Sequence, residues 1–277
     1  MNDEPRQHTE YEPRQVKAAR RVLVDVGQVL ASFRDCLVVV GGWVPDLLIS
    51  EAEEAHVGSI DVDLALDAEK LNDGRYAELL KSLLDTRRYR VGAKSFQLLT
   101  SVDLEDGNPP VQVEVEFLAP KEVKLEKHNP KLLRNFRVLQ ADGCSSAFHS
   151  PVEIKLEGHS TRGAENIVRL RVASLPDFII MKAHALAGRD KPKDAYDICY
   201  CLTYFPGGLE KLADAWRQRS EESDVKRGIE ILREKFATVE SFGPRQVVEF
   251  FDLSDAEAKH IQARRAFELV QKFVRLL

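Results

Sequence analysis

Residues 41–67 read GGWVPDLLISEAEEAHVGSIDVDLALD. The last part, SIDVDLAL (59–66), alternates Ile60, Val62, Leu64 and Leu66 against Ser59, Asp61, Asp63 and Ala65, the period-two pattern of a strand with one buried face. Asp61 and Asp63 therefore share a side, about 6.6 Å apart along the chain. Two carboxylates ~4 Å apart repel by about 4 kcal/mol at an effective dielectric of 20, and a divalent cation removes that repulsion. Oxygen-only ligands favour magnesium or manganese over zinc. A solvated strand face would carry the same two residues, so the pair needs its surroundings to be read.

Just upstream, CLVVVGG (36–42) is a short β-branched run ending in two glycines, which predicts a buried strand entering a turn. Gly41 and Gly42 allow a backbone approach that side chains would block, suiting a phosphate on amide groups at the start of the short helix VPDLLIS. Further upstream, Val22, Leu23, Val26, Val29, Leu30 and Phe33 recur at helical spacing and predict a helix over 14–34. Residues 1–13, with two prolines and few apolar groups, are expected to form a loose arm.

Downstream, 69–85 predicts a helix that Gly74 weakens, and RYRVGAKSFQLLTSVD and PPVQVEVEFLAP read as paired strands turning at GNPP. In the second of these, Val111, Val113, Val115 and Phe117 oppose Gln112, Glu114, Glu116 and Leu118, and Glu116 could add a third oxygen ligand. NIVRLRVAS (166–174) is a further strand, after which the pattern is helical to the end. Ser174 and Pro176 mark a helix start, and Ser254 with Glu257 suggests a capping box for the last helix. The expected fold is α+β: a mixed β-sheet with helices over 14–173, then a mainly helical domain over 174–277.

The chain has 277 residues, 44% hydrophobic, with net charge −5 and pI about 5.9, so it can bury a core and is not a polyanion binder as a whole. The four cysteines are scattered without zinc-site spacing. The polar start MNDEPRQHTEYEPRQ lacks the apolar run of a secretory signal, and no stretch reaches the ~18 apolar residues of a membrane span. The expectation is a cytoplasmic protein without membrane contact.

VVVGGWVPDLL followed by HVGSIDVDLAL resembles the polymerase-β-like nucleotidyltransferase superfamily, and most of all the AbiEii-type toxin nucleotidyltransferases of bacterial abortive-infection and toxin-antitoxin systems. The resemblance returns in SLPDFIIMKAHALAGRDKPKDAYDICYCL (174–202). It implies a metal-dependent transfer of NMP from an NTP to a hydroxyl acceptor, with Mg2+ or Mn2+ held by Asp61, Asp63 and Glu116. It further implies nucleotide binding by Gly41, Gly42, Ser59, Lys182 and Arg189, with Asp194 or Asp197 partnering Lys182 or steering the acceptor. Two departures stand out: the approach to Asp61 is HVGS, so Ser59 stands where the family carries threonine or a basic residue, and the third carboxylate is a glutamate, Glu114 or Glu116, rather than an aspartate.

For the acceptor, residues 121–137 (KEVKLEKHNPKLLRNFR) hold a local excess of four positive charges, and Arg87, Arg88, Arg90 and Lys94 form a second basic run. Both could guide RNA such as a tRNA end, or be solvated faces with no partner. His56 and His184 are candidate general bases or structural histidines, and Trp43 could stack on a base or pack under the sheet. The resemblance also implies an antitoxin protein as partner. Two rival functions keep parts of the same site: an antibiotic-type transferase with a small-molecule acceptor, and a degenerate module that binds a nucleotide or partner without catalysis.

Overall fold

The computed structural model describes residues 5–67, 69–71, 74–123 and 137–277. The fold is α+β, as the alternation of patterns requires, and the chain divides into two units. One gathers Glu12–Val44 and Ser59–Ser174; the other gathers Met1–Tyr11, Pro45–Gly58 and Leu175–Leu277. A single boundary at 173 therefore leaves 5–11 and 45–58 apart from the helices with which they group.

The sheet unit opens with α1 (Pro13–Val29), whose first residue is a proline and whose Ala18, Ala19, Val22, Leu23 and Val26 are buried. The helix stops short of 34, because 31–36 tightens into a 3-10 turn. The strands are β1 (Leu37–Val40), β2 (Val62–Leu66), β3 (Tyr89–Val91), β4 (Gln97–Val102), β5 (Val111–Pro120), β6 (Leu139–Ala141), β7 (Val152–His159) and β8 (Glu165–Val172). They form one sheet in the order β3-β4-β5-β2-β1-β8-β7, with β6 pairing β5 off this path. β2 runs parallel to β5 and antiparallel to β1, so Asp63 stands opposite Val40 on one side and Glu116 on the other.

The long strand β5 keeps the predicted alternation, with Val111, Val113, Val115 and Phe117 buried. Each such side chain contributes roughly 1.5–3 kcal/mol of burial. β6 and β7 carried no sequence expectation. Between β2 and β3, helix α3 spans Arg75–Asp85 rather than 69–85, because Gly74 sits in the left-handed region at φ 86° and caps it. The carboxylate of Asp25, fully buried in α1, is met by Tyr89 Oη at 2.7 Å, by Thr161 Oγ1 at 3.2 Å and by Arg88.

α2 (Trp43–Leu48) carries the chain from one unit to the other. The helical unit is completed by α4 (Leu175–Gly188), α5 (Pro192–Tyr204), α6 (Gly208–Arg217), α7 (Ser223–Lys235), α8 (Phe242–Phe251) and α9 (Ala256–Leu276). α9 is capped by Asp255, whose side chain accepts from the amide of Ala258, one residue beyond the Ser254 cap read from sequence. The expected loose arm is tied down over its described part: Arg6 Nε donates to Glu249 Oε1 at 2.7 Å, and Arg6 Nη1 to the Asp190 carbonyl at 2.9 Å. Among the described residues no helix is long and apolar enough to cross a membrane.

Candidate active site

In the sheet unit, β1 ends in a turn at Gly41 and Gly42. Gly41 takes φ +69°, and a β-carbon on it would fall 2.0 Å from Asp63 Oδ2. Only glycine satisfies both the left-handed backbone and the carboxylate pressed against it. Asp61, just before β2, is held from two sides. Ser59 Oγ donates to its Oδ1, and the indole of Trp43 donates to its carbonyl at 2.6 Å. Ser59 thus touches Asp61. Trp43 is 1% exposed, which removes the base-stacking alternative and leaves it as a prop for the Asp61 backbone.

Glu116 stands beside Asp63 in register. Its Oε1 accepts from Lys94 Nζ at 3.1 Å and from Gln97 Nε2 at 3.3 Å, while Glu114 lies 3.8 Å from the same Lys94 nitrogen. Among the described residues, no three His, Cys, Asp or Glu side chains are grouped closely enough to hold a metal ion. A pair suffices for magnesium, which is commonly bound by one or two carboxylates and completed by water and substrate phosphates. The all-oxygen donors of the Asp61 and Asp63 pair and the glycine turn against Asp63 fit a divalent cation, while Glu116 is paired with the Lys94 ammonium. α2 has only six residues, so any phosphate cradle here rests on the close backbone approach at the glycines and little on a helix dipole.

In the helical unit, Lys182 is 7% exposed and shared between two carboxylates, Asp194 Oδ1 at 2.7 Å and Asp197 Oδ2 at 2.8 Å. The second contact is an ion pair whose angle falls short of a hydrogen bond, since Asp197 Oδ2 has no hydrogen-bonded partner. Arg189 grips Asp194 with Nε at 2.7 Å and Nη2 at 3.0 Å. Asp197 Oδ1 also accepts from Lys193 Nζ at 2.8 Å and lies 2.9 Å from His56 Nε2. Because His56 Nδ1 accepts from the Gly58 amide at 3.1 Å, its proton sits on Nε2 and points at Asp197. The exposed-face alternative for Lys182, Asp194 and Asp197 is therefore excluded.

Burial works against every charge in this cluster, and the partners decide the outcome. For Asp194 the penalty is overcome by Lys182 and Arg189, leaving its pKa at about 2. Asp197 is held well below the carboxylate range because Lys182 and Lys193 outweigh its burial. Lys182 rises above its ordinary value because two carboxylates offset its burial. Lys193 is lowered, its burial only partly countered by Asp197. Burial and the Lys193 charge lower His56 to about 4, so it is neutral at pH 7.

Sequence reading missed Lys193 and did not connect His56 to Asp197. The signal for Lys193 was its i,i+4 spacing from Asp197; His56 lies 141 residues from Asp197 and gave none. His184 Nε2 lies 2.9 Å from the Asp224 carbonyl, which joins α4 to α7 and gives the ring a structural part. In the second basic run Arg88 is taken by Asp25 and Arg90 by Gln112. Lys124, Lys127, Lys131 and Arg134 of the first lie outside the described residues.

A family model for the nucleotidyl transferase AbiEii toxin, type IV TA system, matches residues 23–276. No curated protein sequence matches the chain. Among solved structures, the crystal structure of JHP933 from Helicobacter pylori is similar over 94% of this chain and 92% of that one, with 11% identity and a TM-score of 0.46.

Proposed function

The chain belongs to the AbiEii nucleotidyl transferase toxin family, and from that premise we propose that it moves the NMP of an NTP onto a hydroxyl of an RNA, releasing pyrophosphate. The observation that carries this reading is the Gly41 turn lying against the Asp63 carboxylate. It leaves backbone, rather than a side chain, beside the carboxylate that would hold the cation.

Asp61 and Asp63 would hold Mg2+ or Mn2+ as a pair; Glu116 or its neighbour Glu114, both now on Lys94, would have to turn from the lysine to add a further oxygen. When bound, the ion would neutralise triphosphate charge and lower the pKa of the attacking hydroxyl. Ser59 and Trp43 fix where Asp61 presents its carboxylate. In the helical unit, Asp194 and Asp197 orient Lys182, and Arg189 adds positive charge at half-exposed depth. In this cluster Lys182 and Arg189 are the groups proposed to bind phosphate, each held by a buried carboxylate. Catalysis would be positioning and electrostatics, without a covalent intermediate. The toxin-antitoxin setting of the family makes an antitoxin protein the proposed partner.

The engagement of Arg88 and Arg90 inside the sheet unit favours a second reading, a small-molecule acceptor. Incubating the purified protein with each α-labelled NTP, magnesium and total RNA separates the two. Label on RNA supports the first, label only on a low-mass product supports the second, and no transfer to either counts against catalysis.

A further inference from the structure

Lys94 sits in the short connection from β3 to β4, which is closed on itself: the Gly92 amide donates to the Gln97 carbonyl at 2.9 Å and the Gln97 amide to the Lys94 carbonyl at 3.2 Å. The fit is close, since a β-carbon on Gly92 would lie 2.4 Å from Gln97 Oε1. Gln97 itself is 2% exposed, and its amide reaches the same Glu116 oxygen that Lys94 does. The turn is therefore a fixed base, held by backbone and a buried amide. The Lys94 side chain, 42% exposed, extends from it over two glutamates, of which Glu116 is 14% exposed and in register with Asp63.

We infer that Lys94 is a resident counter-cation that shields Glu116, yields it when a divalent ion enters, and then binds the triphosphate of the incoming NTP. This rests on the nucleotidyltransferase reading above. A positive group beside carboxylates lowers their mutual repulsion in the absence of metal. Once a divalent ion shares Glu116, the ammonium is repelled, and its long flexible stem can turn to the phosphate oxygens that arrive with the ion. Gln97 keeps Glu116 in place during the exchange, because an uncharged amide is not expelled by the ion.

The test uses the full chain and two readouts other than activity. Free Mn2+ is followed by electron paramagnetic resonance, and binding of the magnesium complex of an α,β-methylene NTP analogue by calorimetry. Lys94→Gln should bind Mn2+ alone about two- to fivefold more tightly, the range for a partly exposed ion pair. The same variant should bind the analogue roughly tenfold more weakly, through loss of a charge-assisted phosphate contact. Lys94→Arg, which keeps the charge, should stay near the parent in both. Lys155→Gln, on β7 at the far edge of the sheet, controls for net charge and should change neither. Unchanged or weakened Mn2+ binding in Lys94→Gln, or unchanged analogue binding, overturns the inference while leaving the nucleotidyltransferase reading standing. A parent that binds neither Mn2+ nor any analogue overturns both.

Discussion

The backbone of Gly41 lies so close to the carboxylate of Asp63 that a β-carbon at Gly41 would meet Oδ2 at 2.0 Å. One position thus constrains another across the β1–β2 pair, where Val40 and Asp63 are opposite in register. Gly41→Ala would have to leave φ +69° or accept a left-handed alanine, costing about 1–2 kcal/mol, and would push the Asp63 carboxylate from its place. The expected result is a folded protein whose Mn2+ affinity falls about tenfold or more. Parental Mn2+ affinity in that variant would show that the turn does not set the aspartate.

Asp197 accepts from Lys193 and His56 and forms an ion pair with Lys182. Asp197→Asn removes the charge that keeps two buried ammonium groups in place, and breaking a buried ion pair by one partner costs about 3–5 kcal/mol. Urea unfolding of the variant should show a loss of that order. A loss below about 1 kcal/mol would mean that the lysines find other partners or water.

His56 makes stability depend on pH in a defined window. Its ordinary value of 6.5 falls to about 4 in the folded protein, through burial first and the Lys193 charge second. The unfolded chain therefore takes up the proton before the folded one, and stability drops as pH falls from 6.5 towards 4. His56→Gln keeps a donor for Asp197 and removes the titration, so the variant should lose this slope between pH 4.5 and 7. The depressed carboxylates Asp194 and Asp197 lose their contribution only below the ordinary value of 3.8. An undiminished slope in His56→Gln would assign the dependence to another group.

Much of the fold was readable because burial imposes a period. β2 and β5 alternate apolar and polar residues, and α1 repeats every three to four. β6 is only three residues long, and β7 buries Leu156 alone among its side chains, so neither leaves a strong pattern. The carboxylates Asp61 and Asp63 could be found because their spacing is local. The surroundings of Lys182 could not, since His56 and Asp197 meet across 141 residues; nor could the separate contact in the sheet unit by which Lys94 reaches Glu116 across 22. Asp25 was hidden for a related reason: a charge inside a helix reads as a solvent position until its partners Arg88, Tyr89 and Thr161 are in view.

The central claim, that the Asp61 and Asp63 face holds the ion that carries the NTP, is tested most directly by magnesium-dependent NTP binding in Asp63→Asn. Asparagine keeps the shape beside Gly41 and removes the charge. Equilibrium titration at fixed magnesium, with thermal melting as the check on folding, should show at least about a tenfold loss of NTP affinity at an unchanged melting temperature. NTP affinity equal to that of the parent would contradict the account.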